Sequence, residues 1–305
     1  MDIPAELRRH PPRSALEWVA EPFGPGARVT AVRRLPNAWA AAVHAVDVDD
    51  AEGTRHELVL RRWVRTDIPP DPGVVENEAA TLTLLACLPA LDTPSLVAAD
   101  PSGARAGAPS LVMTRLRGRY VLAPDDVDAF VDGLATTLHA VHALPVPPGA
   151  LGDYRPWGLD DLTELPPRWS GPDVWSHALE IARRTVPAHR RVLCHRDFHP
   201  GNVLWHRGRV SGVVDWTHAC IGPAAADVAH CRLNLTLLFG LEIADDFARR
   251  YGPLDDLAWF DLVDVVGSGL VEAWRWRDAG RTDITQHTLA QSLDDFLAAA
   301  VERLL

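Results

Sequence analysis

The sequence contains no lysine: all thirty of its basic residues are arginine. Any task that usually falls to a catalytic lysine must fall to arginine here, or go undone. Codon bias in a GC-rich genome is the plain explanation, and the abundance of alanine, arginine and proline agrees with it. Cysteine is also scarce. Cys87, Cys194, Cys220 and Cys231 make no CxxC pair, which argues against a disulfide framework and for reduced thiols packed in a core. No apolar run approaches the length needed to cross a bilayer. The first residues, "MDIPAELRRHPPR", lack the apolar stretch of a signal peptide. A cytoplasmic protein with no membrane partner is expected. Positive charge is in deficit as well, with a formal net charge of −11. A nucleic-acid partner is not expected, because such binding needs clustered basic residues. The acidity leaves room for cationic small molecules, although solubility alone accounts for it equally well.

What is present divides into two parts. The 305 residues suffice for one large domain or two smaller ones, and no repeat period is visible. Residues 1–26 are Pro-rich, with one short helix expected at "SALEWVA". Strand patterns follow at 27–35, 39–48 and 56–63, then an amphipathic helix at 74–88, then strands at 95–100 and 110–118. After Gly118 the periodicity turns helical. Helices are expected over 124–144, 173–186, 223–239, 241–251, 255–278 and 287–304, with a strand at 208–216 ending in Asp-Trp. The fold class is α+β: a small β-rich lobe with one important helix, then a larger helical lobe.

The richest stretch is "LCHRDFHPGNVLW", residues 193–205. His195-Arg196-Asp197 precedes Asn202 by a fixed spacing, and Asp215 follows in "GVVDW". This is the order of H-R-D-x-x-x-x-N and a later Asp in enzymes that transfer a phosphoryl group from a nucleotide. One carboxylate must orient a hydroxyl and accept its proton. An amide oxygen and a second carboxylate must hold Mg²⁺. Asp197 suits the first task; Asn202 and Asp215 suit the second.

"HRDFHPGNVLW…VVDWTHACIGPAAADVAH" resembles the aminoglycoside phosphotransferase family, whose members share the bilobal protein-kinase-like fold. The resemblance implies a nucleotide-binding lobe over 1–115, a catalytic and acceptor-binding lobe over 116–305, and a hinge near 113–118. It further implies Asp197 as catalytic base and Asn202 and Asp215 as metal ligands. His195 would buttress the loop and Asp227 would anchor it. In "LVLR" Arg61 takes the place of the usual phosphate-binding lysine, held by Glu78. Met113 would lie behind the base of the nucleotide, with backbone groups of Thr114 and Leu116 bonding to it. The implied partners are ATP or GTP, Mg²⁺ and a small-molecule hydroxyl acceptor. A cationic acceptor such as an aminoglycoside, or another antibiotic, fits the family best.

Three features depart from the family pattern. Arg196 stands where family members usually have glycine. The first hairpin, "RRLPNAWAAAVHAV", has no glycine at its tip, leaving Asn37 and backbone amides to cover phosphate. "ACIGPAAAD" lacks the acid often found after its glycine. Arg196 gives the loop a protein-kinase flavour, yet the short run from Asp215 to Asp227 leaves no room for an activation loop.

Plainer explanations exist for several of these residues. His195, His199, His218 and His230 lie among cysteines, but none follows a zinc-finger or H-E-x-x-H spacing. His199 reads as a partner of loop backbone. Arg61 and Glu78 also fit a surface ion pair of little consequence. Residues 241–305 hold thirteen acids and six arginines, and the loop 145–173 adds Asp153, Asp160, Asp161, Glu164 and Asp173. These acids either draw a cationic acceptor or form a solvated face. Trp157, Trp169, Trp274 and Trp276 either line a site for a larger, partly apolar acceptor or sit in the core. Two other functions share the residues: a metabolic kinase for choline, homoserine or a sugar, and a pseudokinase-like binding module.

Overall fold

The computed structural model describes residues 3–36, 38–67, 70, 73–88, 91–157, 172–184, 186–188, 190–267 and 273–304, with the backbone alone at 172 and 173. The chain divides into two compact units. The first comprises Met1–Gly118, Ser211–His218 and Trp274–Ala279; the second comprises Arg119–Val210, Ala219–Ala273 and Gly280–Leu305.

The first unit opens with two short helices, α1 (Ala5–Arg8) and α2 (Arg13–Ala20). Strands β1 (Arg28–Arg34), β2 (Ala42–Asp49) and β3 (Arg55–Arg62) follow, then helix α3 (Val74–Leu85) and strands β4 (Leu96–Asp100) and β5 (Ser110–Thr114). The strands form one antiparallel sheet in the order β1-β2-β3-β5-β4. Alternation along β3 decides what each face carries. Leu58 and Leu60 enter a core with Val46, Val48, Val112, Trp18 and Val19. Arg61, one step out of phase, takes the opposite face. Helix α3 buries Val74, Val75, Thr81, Leu82 and Leu85, and Glu78 sits in that same buried stripe. A charge placed inside an apolar stripe demands a partner.

In the second unit, α4 (Val127–His142) starts at an Asp126 cap whose side chain accepts from Ala129 N. Helix α5 (Pro172–Ala182) and strands β6 (Arg191–Cys194) and β7 (Val203–His206) follow. The chain passes into the first unit along β8 (Arg209–Val213) and returns before β9 (Cys220–Pro223), which pairs antiparallel with β6. Then come α6 (Ala224–Phe239), α7 (Leu241–Tyr251), α8 (Leu257–Gly267), α9 (Ala273–Asp278) and α10 (Gln286–Glu302). Helix α9 belongs mainly to the first unit: Trp274 packs with Leu7 and Ala42, and Asp278 pairs with Arg34 at 2.6 Å.

Helix α6 is buried on nearly every side, as expected of a central helix. Its polar residues are therefore all partnered. Arg232 donates to Asp261 on α8 at 3.0 Å, while His230 and Asp227 face the loop described below.

The structure corrects several expectations. The helix expected over 255–278 is two helices, α8 and α9. Strands β6 and β9 each span only four residues, too short to show a period. Asp215 lies two residues beyond β8 rather than at its end. Cys87 is exposed, whereas the other three cysteines are buried. Trp274 and Trp276 belong to the core. Asn37, Trp169, Asp160, Asp161 and Glu164 lie outside the described residues, as does the side chain of Asp173. Among the described residues, no helix is long and apolar enough to cross a membrane.

Candidate active site

Two groups of functional side chains are assembled, one in each unit. In the first unit, β3 delivers Arg61 and α3 delivers Glu78. Arg61 Nη1 donates to both Glu78 oxygens at 3.0 Å and to Asp215 Oδ1 at 2.7 Å. Thr217 Oγ1 also donates to Asp215 Oδ1, at 2.8 Å. Arg61 and Glu78 are 7% and 0% exposed, so the pair is no solvated surface bridge. Burial pushes the Glu78 carboxyl up to about 7 against the pull of Arg61, and the Asp215 charge adds to the rise. Asp215 adopts φ +69, a left-handed conformation costing roughly 1–2 kcal/mol outside glycine.

The glycine before it makes room. A Cβ on Gly212 would meet Leu116 Cδ1 at 2.4 Å and Asp92 O at 2.8 Å, so only glycine lets the 212–215 segment run so close to them. Leu116 thus packs against this segment. Met113 is buried in β5 opposite Val59 and Leu96. The Thr114 N–H donates to Ser95 O at 2.9 Å, and its hydroxyl accepts from Ser95 N. Both the Thr114 N–H and its hydroxyl are thus engaged with Ser95. The loop between β1 and β2 lacks glycine but is held nonetheless. Arg65 Nη1 donates to Trp39 O at 3.1 Å, and the Arg275 guanidinium lies 3.7 Å from the Trp39 ring centre.

The second group is the loop between β6 and β7. Asp227, fully buried at the start of α6, accepts the backbone N–H groups of His195 on Oδ2 and Arg196 on Oδ1, both at 2.7 Å. Its Oδ2 also meets His142 Nε2 at 3.0 Å. Burial opposes the charge, but the bond and charge of His142, with His195, hold this carboxyl below its usual range. The anchor fixes Arg196 at φ +71, which explains why glycine is usual at this position. The Arg196 side chain compensates: it donates to Arg155 O at 3.0 Å and lies 4.6 Å from the Tyr154 ring and 4.0 Å from the Trp157 ring. A Cβ on Gly222 would strike Tyr154 Cβ at 2.5 Å, so Gly222 on β9 admits that aromatic wall.

Asn202 closes the loop. Its Nδ2 donates to Asp197 O at 2.9 Å and to Asp197 Oδ2 at 3.0 Å. With the amide nitrogen committed to Asp197, the amide oxygen is directed elsewhere. His199 Nδ1 accepts from Gly201 N at 3.1 Å, and His195 Nδ1 accepts from Asp197 N at 3.3 Å. His142, Cys194 and Asp227 bring one ligand atom each within 4.8 Å of one another. Each is already engaged, however: His142 Nδ1 with the Tyr251 hydroxyl, Cys194 Sγ with Pro223 O, and Asp227 with the loop. The trio is a hydrogen-bonded anchor.

Sequence reasoning weighed His230 only against zinc-ligand spacings and passed over Asp264. His230 Nε2 lies 3.0 Å from Asp197 Oδ1, and its Nδ1 lies 3.2 Å from both oxygens of Asp264 on α8. The signal was present in helical spacing: Asp227 and His230 are three apart on one helix, and "WFDLVDVVG" carries two acids in an otherwise apolar helix. Burial works against a charge on His230, yet Asp264 and the bonds from both carboxylates raise it to about 10.

Glu78 and His230 share a sign. Each binds its proton more tightly folded than unfolded, so each stabilises fully below its unfolded value and loses that contribution as pH rises through the folded one. Stability is expected to fall from pH 4.5 to about 7 through Glu78, and from 6.5 to about 10 through His230. Calorimetric melts across pH check this, and Glu78→Gln should flatten the lower window. A wild-type midpoint that climbs steadily from pH 5 to 10 would contradict it.

A carboxylate clasped by a loop amide in one unit and a buried arginine-carboxylate pair in the other accompany a family match that makes the chain a phosphotransferase with an alcohol group as acceptor. Residues 13–263 match the phosphotransferase enzyme family (APH), and the chain belongs to that family. Solved structures share its protein-kinase-like α+β fold. A thermostable mutant of aminoglycoside phosphotransferase APH(4)-Ia, in ternary complex with AMP-PNP and hygromycin B, is 19% identical over 95% of this chain and 98% of its own, with a TM-score of 0.65. The GDP complex of aminoglycoside 2'-phosphotransferase-IIIa is 16% identical over 91% and 94%, with a TM-score of 0.57. An aminoglycoside-3'-phosphotransferase of type VIII is 21% identical over 83% and 99%, with a TM-score of 0.55. No curated protein matches the chain.

Proposed function

We propose that the chain is an ATP- or GTP-dependent, Mg²⁺-dependent O-phosphotransferase whose acceptor is a hydroxyl of a small molecule of the aminoglycoside or another antibiotic class. The observation that carries this is the double hold of Asn202 on Asp197, main chain and carboxylate together. It holds a carboxylate at the head of a short loop, the arrangement that a general base requires. Asp197 would take the acceptor's proton as its oxygen attacks the terminal phosphoryl group. Arg61, kept in place by Glu78, would offset charge on the nucleotide phosphates. The donor set fits Mg²⁺: Asn202 offers an amide oxygen and Asp215 a carboxylate, both hard ligands. Bound there, the ion would neutralise phosphate charge. ATP and GTP both stand because one relative was solved with AMP-PNP and another with GDP.

One observation favours a metabolic acceptor as a second reading. Many acids of the C-terminal region are consumed internally: Asp245, Asp246, Asp261, Asp264, Asp278 and Asp283 each pair with an arginine or histidine. Their charge is not free to draw a cationic acceptor, and among the metabolic acceptors a neutral sugar suits what remains.

The test is ADP or GDP release across aminoglycosides, macrolides, peptide antibiotics, amino alcohols, homoserine and sugars. Acceptor-stimulated release that disappears with EDTA is expected for one class. If no acceptor stimulates release and Mg²⁺-nucleotide gives no thermal shift, the chain is a binding module and the proposal fails.

A further inference from the structure

We propose that His230 is a positioning residue that clamps the Asp197 carboxylate, with Asp264 holding the clamp from behind. The inference rests on Asp197 being the base. Asp197 is gripped at both oxygens by different elements: Asn202 Nδ2 on Oδ2 and His230 Nε2 on Oδ1, each at 3.0 Å. Within the loop, Asn202 holds Oδ2 and His199 Nε2 stands 3.7 Å from Oδ1. His230 adds a hydrogen bond to Oδ1 from the buried helix α6, an element independent of the loop. A base displaced by an ångström loses on the order of 100-fold in rate, so such a hold has catalytic weight.

The second carboxylate decides the charge of the clamp. A neutral imidazole donates through one nitrogen only. Here both nitrogens face carboxylates, Nε2 that of Asp197 and Nδ1 that of Asp264. Only the imidazolium donates to both, and its raised proton affinity agrees. The other groups facing the ring are the edge of Trp157 (5.4 Å between centres), the His199 ring (6.0 Å) and Asn234 Nδ2, 3.2 Å from Nε2. Asn234 Nδ2 gives one of its two N–H groups to the His230 carbonyl at 3.0 Å; the shorter approach of Nε2, 3.0 Å to Asp197 Oδ1, and the charge of that carboxylate favour Nε2–H directed at Asp197. Asp264 orients the ring, as a carboxylate behind a functional histidine does elsewhere. A core histidine with no functional role would also be satisfied, but it would not meet the base itself.

The test uses the full chain and the acceptor that the release assay identifies. His230→Phe keeps an aromatic ring in the space and deletes both donors. His230→Gln keeps one donor. For His230→Phe, kcat should fall about 100-fold while the KM for nucleotide stays within about twofold of wild type. His230→Gln should recover about tenfold of that loss. Melting curves establish that each variant is folded. A folded His230→Phe enzyme with wild-type kcat, beside an inactive Asp197→Ala, overturns the clamp while leaving the base assignment intact. An Asp197→Ala enzyme with wild-type turnover overturns the base assignment instead, and the catalytic role of the clamp with it. Should His230→Phe not fold, ¹⁵N-histidine spectra of the wild-type protein at pH 7.5 decide the matter without any variant at 230. One histidine protonated on both nitrogens, reverting to a neutral tautomer in Asp264→Asn, supports the clamp; neutral rings throughout overturn it.

Discussion

Asp197→Ala is expected to lower phosphotransfer by about 10³-fold, the range a positioned general base contributes, without unfolding the protein. Two facts separate the chemistry from the fold. The Asp197 side chain takes hydrogen bonds from Asn202 and His230, lies 3.7 Å from His199 Nε2, and is partly open to solvent, 26% exposed. The loop's shape depends instead on Asp227, which grips residues 195 and 196. The thermal shift with Mg²⁺-nucleotide should survive the substitution, because Arg61, Glu78 and Asp215 are untouched. Wild-type turnover in Asp197→Ala with a confirmed acceptor would end the assignment. Asp197→Asn sharpens the point, since it preserves shape but cannot accept the proton; it should be as inactive as the alanine variant.

The largest loss of stability is expected from Asp227→Ala, roughly 3–5 kcal/mol. The change strands two buried backbone N–H groups and removes the partner of His142. Each stranded donor alone costs about 1–3 kcal/mol. Arg196 would also lose the bond that holds it at φ +71, so the loop should relax and activity vanish together with stability. Asp227→Asn tests the argument in finer detail. An amide can accept from one of the two N–H groups but must point its own donors at the other, so it should recover only part of the loss. Urea unfolding followed by tryptophan fluorescence measures both variants. An alanine variant as stable as wild type would show that the loop is held by something other than this carboxylate.

The residues that sequence placed together and those it missed differ in the kind of information they need. The β3 arginine and the α3 glutamate were named only through the family resemblance, which supplies a strand position and a helix position for such a pair; no local period singled them out. Asp197 and Asn202 were legible because five residues and a Pro-Gly turn fix their distance. Asp215 was found, but its positive φ was not, since nothing in "VVDW" forces an aspartate into the left-handed region. The meeting of His230 and Asp264 was missed for a stronger reason. They lie thirty-four residues apart on two helices, and their meeting depends on the rotation of α6 against α8, which no single helical period reveals. The strands β6 and β9 were missed because four residues carry too little pattern to distinguish a strand from a loop.

The guanidinium on β3 has a consequence for how this enzyme can be probed. Reagents that mark nucleotide sites by acylating or forming an imine with a lysine need an amine nucleophile, and a guanidinium that stays protonated at all accessible pH offers none. Such reagents would leave β3 untouched here. Dicarbonyl compounds, which condense with guanidinium groups, would take their place, and saturating Mg²⁺-nucleotide should slow their reaction at Arg61. The buried carboxylate of Glu78 then becomes the titratable member of the pair. Whatever pH sensitivity this ion pair has is carried by the acid on α3, not by the base on the strand.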